Sequence, residues 1–412
     1  MTIIAPFRGL RPASGRAADV CAPPYDVLDS AEARERARGR PFSFLHVSKP
    51  EIDLPPDTDP HDPAVYARAA ENFRAMIGEG VLVREDKPVY YAYRLNWREH
   101  EQTGFIAAAS VAAYDANRIR KHEHTRPVKE DDRVRQIEAV GAHTGPVMLA
   151  APDSQAIEEL LEQAARGTPE MDVRADDGIR HRVWIVDDAS LMARITQAFE
   201  ALDALYIADG HHRSAAASRV CAARDRLEPE NSDAPWRRFL SVIFPARQMK
   251  ILDYNRVVRD LNGLDKAAFL KAVGEGFSVE ENAAPVRPGG RGVHGMYLDG
   301  RWYRLTAPEA LTMSADPVER LDVSILDRHL IAPILGVRDP RTDERIDFIG
   351  GMRGLGELER RVDSGEMAVA FSLYPTSMDD LMRVADAGDI MPAKSTWFEP
   401  KLADGLVSLP LD

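Results

Sequence analysis

The segment YIADGHHRSAAASRV, residues 206–220, sets the reading of this chain. An apolar run stops at Asp209 and Gly210, two histidines and an arginine follow, and an alanine-rich stretch of helical composition closes the segment. The pattern is a buried strand passing through glycine into a helix. Gly210 permits a positive φ and lets a ligand approach the backbone. The first amides of such a helix lack intrahelical partners and point outward with the positive end of the macrodipole. A phosphate suits that position. Arg213 offers a planar fork for two phosphate oxygens, and His211 and His212 add donors that persist when neutral. Asp209 is then left to orient a histidine or to hold a divalent cation beside the phosphate.

Strand-like and helix-like runs alternate on both sides of this segment. FSFLHV (42–47) reads as a strand, and PAVYARAAENFRAMIGEG (63–80) as an amphipathic helix. KPVYYAYRLNW and TGFIAAASVAAYD read as consecutive antiparallel strands, and VKEDDRVRQIEAVG as a charged helix ending at Gly141. GPVMLAAPD, RHRVWIVDD and RRFLSVIFPA read as strands around the helices SQAIEELLEQAARG and ASLMARITQAFEAL. The chain is therefore α+β (mixed α/β), without the regular rhythm of a βα barrel. ENAAPVRPGGRG, residues 281–292, is rich in Pro and Gly and reads as a linker, dividing a segment 1–280 from a segment 293–412. Beyond it come a hairpin turning at Asp299-Gly300, a long helix over PVERLDVSILDRHLIAPILGV, and the strand EMAVAFSLYP. In MPAKSTWFEPKL, Lys394, Ser395, Thr396 and Lys401 stand among aromatics, which suits an ordered, possible substrate-binding loop.

The 412 residues carry 53 Lys and Arg against 66 Asp and Glu, a net charge of -13. Such a surface repels nucleic acid and anionic membranes at long range, so neither is expected as a partner. No window approaches the roughly 20 apolar residues of a membrane span, and the first 20 residues lack a signal-peptide core. Two cysteines, Cys21 and Cys221, form no metal knuckle and no redox pair. A cytoplasmic protein is expected. Composition leaves its oligomeric state open.

A second constellation lies in RIRKHEHTRPVKEDDRVRQIE, residues 118–138. If extended, the segment places His122 and His124 on one face and Glu123 on the other. Glu123 suits a general base that takes a proton from an alcohol, with His122 positioning the base or a phosphate. Alternatively, His122 and His124 are metal ligands joined by His211, His212 or Asp209, as in a metal-dependent hydrolase. An exposed charged edge is the third reading. Elsewhere, Tyr25 and Asp26 occupy a Pro-fixed turn, His46 reads as a core histidine, and PARQMKILDYNRVVRDL gathers Arg247, Lys250, Asn255 and Arg256.

Four motifs stand in order: APPYDV near the start, KHEHT at 121–125, ADGHHRSAAA at 208–217 and MPAKSTWFEPKL near the end. Together they resemble a widespread bacterial family catalogued as a domain of unknown function. G-H-H-R also resembles the phosphate-binding turn of the ParB and sulfiredoxin superfamily, which includes free-serine kinases. The resemblance implies a ParB/sulfiredoxin-like core with large additional α/β segments. It implies transfer of phosphate from pyrophosphate or a nucleotide to L-serine, giving O-phosphoserine, with Mg²⁺. Gly210, His211, His212 and Arg213 would cradle the donor phosphate. Glu123, in H-E-x-T from His122 to Thr125, would be the base, with His122 and Asp209 beside it and Thr125 near the substrate. Sulfinic acid reduction is not implied, since His211 stands where sulfiredoxin has its cysteine. A ParB-like nucleotide-binding regulator without turnover is the remaining alternative. The absence of a P-loop fits a donor held by a His/His/Arg turn.

Overall fold

Residues 90–110 begin the main sheet. Their dense apolar and aromatic content favours extended pairing. They form β1 (Tyr90–Trp97) and β2 (His100–Ser110), antiparallel with Tyr91 opposite Ile106. The computed structural model describes residues 2–228, 231 and 233–412. The chain divides into two compact units, Met1–Met249 with Pro400–Asp412, and Lys250–Glu399.

In the first unit the sheet continues with β3 (Ile119–Arg120), β4 (Val147–Ala151), β5 (Met171–Arg174), β6 (Arg180–Val186), β7 (Leu205–Asp209) and β8 (Arg238–Pro245). The spatial order is β3-β7-β4-β8-β2-β1-β6-β5, and Ile4–Ala5 pairs with β2 as a ninth strand. β8 runs parallel to β4 and β3 parallel to β7, whereas β7 is antiparallel to β4. The β7–β4 register slips between Ile207 and Asp209. Such an irregularity re-aims the side chains at the end of a strand.

Helices α1 (Pro127–Val140), α2 (Gln155–Ala164), α3 (Ala189–Glu200) and α4 (His211–Asp225) follow the apolar spacing of their sequences. Leu160 of α2, Ile195 and Phe199 of α3 and Ala216 and Val220 of α4 join Phe105, Ala107 and Leu149 in one core on a single face of the sheet. A satellite core forms where Phe44, Leu45 and Val47 pack against Phe73 and Met76. The chain's last segment returns to this unit: Ala22 bridges Asp404, Leu10 bridges Ser408, and Leu409–Pro410 pairs with Ala142–His143.

The second unit is built on a wholly antiparallel sheet of β9 (Tyr254–Val258), β10 (Ser278–Asn282), β11 (Val293–Leu298), β12 (Arg301–Thr306), β13 (Ile346–Gly350) and β14 (Val369–Ser372), ordered β10-β12-β11-β14-β9-β13. The β11–β12 hairpin turns at Asp299 and Gly300, both with positive φ (49° and 74°), as a two-residue hairpin turn requires.

The α+β class stands, and four local expectations change. Residues 42–47 do not form a strand; Leu45–Ser48 is a helical turn in which Val47 N donates to Phe44 O at 2.9 Å. Phe44, Leu45 and Val47 are all buried, a spacing a helical turn satisfies and an alternating strand does not. VAAYD leaves β2 for a short helix, Val111–Asp115, because the Ser110 side chain caps it by accepting from Ala113 N. The long helix over 317–337 is shorter: Asp316 accepts from Val318 and Glu319 N and holds that stretch as a turn, so the helix begins at Asp322 and widens into a π turn at Asp327–Ile331. Residues 281–292 join β10 to β11 within one sheet, and the boundary between units falls at Met249/Lys250 instead.

Candidate functional site

Gly210 joins β7 to α4 with φ 103°. A Cβ there would lie 3.1 Å from Arg213 Nε and 3.3 Å from Val147 Cα. The positive φ favours glycine, and the space for a Cβ is tight. No side chain caps α4, so its first amides face out from the turn.

Arg213 does not project from the turn. It runs back beneath Gly210, is 9 % exposed, and donates through Nη1 to the Pro146 carbonyl. Nη2 lies 3.6 Å from Asp209 Oδ1 and 3.8 Å from Asp26 Oδ2, ion-pair distances longer than hydrogen bonds. Burial works against its charge, but Asp209, Asp26, Tyr25 and Asp404 outweigh that and hold its pKa above the ordinary value. Asp209 is half-buried, which works against its charge. Lys401, 3.2 Å from Oδ2, and Arg213 hold its carboxyl well below the usual range. Lys401 arrives on the returning C-terminal segment, as does Asp404, whose carboxylate makes no well-formed hydrogen bond, the Tyr25 backbone being its near partner. Burial pushes Asp404 up to about 7, although Arg213 pulls the other way. A cavity of about 30 Å³ beneath the turn is lined by Tyr25, Ser48, Arg133, His143, Arg213 and Asp404, among others. Arg133 stacks on the Tyr25 ring at 3.9 Å and grips Asp132.

The two histidine motifs meet although they are far apart in sequence. His122 N donates to His211 Nε2 at 3.4 Å, and Arg126 N donates to His212 Nε2 at 3.0 Å. The His122 and His211 rings stand edge to face, 4.4 Å between centroids. His211 Nδ1 is 3.9 Å from Glu123 Oε2. Burial lowers His122 to about 4, and burial, with His122, His212 and Arg213 adding to it and Asp209 opposing, lowers His211 well below its ordinary value. Both imidazoles are therefore neutral at pH 7. Burial and Lys129 lower His212 in the same direction. Glu123 is exposed at the rim.

His124 does not share a face with His122. The segment 121–126 is irregular rather than extended, so His122 is buried while His124 is exposed. Thr125 donates its hydroxyl to Glu130. Lys394, Ser395 and Thr396 belong to the second unit, where Ser395 Oγ donates to Pro392 O and the Lys394 ammonium lies 5.6 Å from the Tyr254 ring. His46 is satisfied on both nitrogens, by Asp53 at 2.7 Å and by the Arg40 carbonyl at 3.1 Å. The basic cluster disperses: Arg247 pairs with Glu158, and Asn255 and Arg256 are buried in the second sheet. Cys21 and Cys221 are unpaired, and burial pushes them up to about 12 and about 11, far from thiolate reactivity. Asp404 was not singled out in the sequence. Its one signal is an Asp-Gly pair shortly after Lys401.

Residues 4–324 match the family described as "Protein of unknown function (DUF1015)". No curated protein matches the chain. Among solved structures it is similar to a conserved hypothetical protein from Pyrococcus furiosus, at 15 % identity over 73 % of this chain and 95 % of that one, TM-score 0.34. A free serine kinase in complex with AMP is similar at 14 % identity over 73 % and 92 %, TM-score 0.35. SbnI with a C-terminal truncation, from Staphylococcus aureus, is similar at 11 % identity over 73 % and 85 %, TM-score 0.38. No described helix is long and apolar enough to cross a membrane.

Proposed function

We propose that this chain, which belongs to the DUF1015 family, is a small-molecule phosphotransferase that moves a phosphoryl group from pyrophosphate or a nucleotide to the hydroxyl of free L-serine. One observation carries the reading: Lys401, Arg213 and the uncapped N-terminus of α4 converge on one glycine turn in a protein of net charge -13. Outward amides and two cations at one turn, with Asp209 and Asp26 as their counter-charges, suit a phosphorylated donor. The choice of serine rests on the resemblance of the H-E-x-T and G-H-H-R motifs.

In this reading the amides after Gly210 take donor phosphate oxygens, and His211 and His212 flank them as neutral imidazoles. Arg213 and Lys401 supply positive charge from below, while Asp209 fixes both cations. The serine oxygen attacks phosphorus, the bond to the leaving phosphate breaks, and the hydroxyl proton passes to Glu123. Such transfer depends chiefly on in-line positioning and charge neutralisation. Mg²⁺ belongs to the proposal as the donor's own counter-ion. Asp209, already facing two cations, does not fit as its ligand, and no step depends on it.

The test is to incubate the full chain with L-serine and pyrophosphate, ADP or ATP and detect phosphoserine by mass spectrometry. Phosphoserine should form with at least one donor. Glu123→Gln should lower turnover by about 10²- to 10⁴-fold with donor affinity nearly unchanged. No phosphoserine with any donor, or parental turnover in the variant, would remove the reading or its base.

A further inference from the structure

Among the described residues, one group of three or more His, Cys, Asp and Glu side chains brings its ligand atoms together: those of His122, Glu123 and His211 all lie within 4.8 Å of one another. We propose that these three side chains hold a divalent transition-metal cation of the zinc, cobalt or manganese class.

Three observations support this. First, His122 is 2 % exposed and neither ring nitrogen makes a well-formed hydrogen bond, the Ile207 backbone being its one near partner. A buried imidazole is normally satisfied, because an unpaired buried polar group is costly. Two other buried histidines follow the rule on one side: His181 meets the Tyr93 hydroxyl at 2.7 Å, and His294 meets the Asp322 carbonyl at 3.0 Å. His143 Nε2 also makes no well-formed hydrogen bond, but His143 belongs to no such group of three among the described residues. Second, the ring of His211 is oriented from behind. The His122 amide donates to Nε2 and leaves Nδ1 turned toward Glu123. A hydrogen bond on one imidazole nitrogen is the usual device for aiming the other at a metal. Third, Glu123 is exposed, which supplies an entry path and leaves further coordination positions to water or a ligand.

The donor set selects the ion. Two neutral imidazoles and one carboxylate suit borderline transition metals, whereas Mg²⁺ and Ca²⁺ prefer all-oxygen shells. A 4.8 Å spread is wider than a bound cation leaves at about 2.0–2.2 Å per ligand, so binding must draw the ligands inward. Glu123, at the rim, is the exposed member of the set. His124 and His212 are outside the cluster, the one exposed and the other engaged by Arg126 N.

This inference does not rest on phosphotransfer. The two connect in one respect: a cation that takes up the Glu123 carboxylate weakens it as a base, so under that reading zinc inhibits turnover.

The experiment is a Co²⁺ titration of tag-free, chelator-treated full chain, followed by calorimetry and visible absorption. One Co²⁺ per chain should bind, with a ligand-field spectrum that a hundredfold excess of Mg²⁺ does not abolish. Glu123→Gln and His122→Asn should each weaken binding by at least about 10- to 100-fold. Circular dichroism shows whether His122→Asn folds; the exposed Glu123 substitution carries the test if it does not. No stoichiometric Co²⁺, or unchanged affinity in Glu123→Gln, overturns the proposal. Neither result depends on serine, donor or turnover, so the phosphotransfer reading stands or falls separately.

Discussion

Both units hold a buried arginine, Arg213 in the first and Arg256 in the second, and these two are held in opposite ways. Arg256 is 1 % exposed, donates to the Tyr254 carbonyl and to the Ala393 carbonyl at 3.4 Å, and lies 5.4 Å from the centre of the Phe348 ring. No described carboxylate reaches ion-pair distance of it, and burial lowers its pKa, with Asp327 only partly offsetting. Arg213 has one carbonyl partner and two carboxylates that stop at 3.6 and 3.8 Å, and its pKa is raised. The two Nη groups of Arg256 are engaged by backbone carbonyls and its plane lies near a ring, while Nε has no hydrogen-bond partner. Arg213 keeps its charge and has donors in reserve, which is what an anion-binding residue needs. Burial alone does not mark a site, and neither does an unpartnered nitrogen, since Arg256 Nε also lacks a partner; what separates the two is the set of carboxylates around Arg213.

The largest expected effect is on stability in the second unit. Arg256→Ala leaves a cavity, frees two carbonyls and leaves Asp327 without its nearest cation. It should cost about 3–5 kcal/mol, read by hydrogen exchange over residues 250–399. A loss below about 1 kcal/mol would break the comparison, because Arg256 would then not be structural.

Next comes Arg213→Lys. Lysine keeps the charge but loses the fork. Pyrophosphate affinity should fall by about 10- to 100-fold, equivalent to about 1.5–3 kcal/mol, as calorimetry reports. Arg213→Ala is a poorer probe than the sequence suggests. A terminal-turn arginine is expected to lie outside the core, yet this one is buried, and its removal strands Asp209 and Asp404. Parental affinity in Arg213→Lys would place Arg213 with Arg256.

A smaller effect sharpens the comparison through pH. Asp404 in the first unit and Asp322 in the second are both pushed up to about 7, chiefly by burial. Each folded pKa exceeds the unfolded value of about 3.9. Between about pH 4 and pH 7 the unfolded chain gives up a proton that the folded chain keeps. Stability therefore falls as pH rises through that window and levels off above it. Asp404→Asn should flatten this slope in the first unit, and Asp322→Asn in the second, each by about 1–3 kcal/mol in denaturation at pH 5 and pH 8. An unchanged slope in either variant would show that its carboxyl is not the group titrating in that window.

The 205–225 strand, turn and helix were legible because the signals there are local. An apolar run, one glycine and an alanine-rich stretch each act within a few residues. The same holds for β1, β2 and the Asp299-Gly300 hairpin. What was not legible depends on distant partners. Burial of Arg213 requires Pro146 and Asp26, and Asp404 and Lys401 reach the turn only because residues 400–412 return to the first unit. Phe44 and Val47 look like strand residues until Phe73 is there to pack against. The Pro and Gly content of 281–292 marks a turn-rich connection equally well inside a sheet or between units, so composition could not place the boundary.

The smallest expected effect concerns His124. H-x-H puts two imidazoles on one face only where the backbone is extended. β3 ends at Arg120, and the next paired element begins at α1, so nothing enforces that geometry. His122 turns inward to His211 and His124 turns out to solvent. His124→Ala should change stability by less than about 0.5 kcal/mol, the usual range for exposed positions. Co²⁺ affinity should also stay within about twofold, since a non-ligand contributes no coordination bond. His122→Asn on the same protein should lose binding. The contrast is demanding because the two residues are neighbours but one. If His124→Ala weakened Co²⁺ as much as His122→Asn, the segment would have to become extended when metal binds, and the site would be the four-histidine set rather than His122, Glu123 and His211.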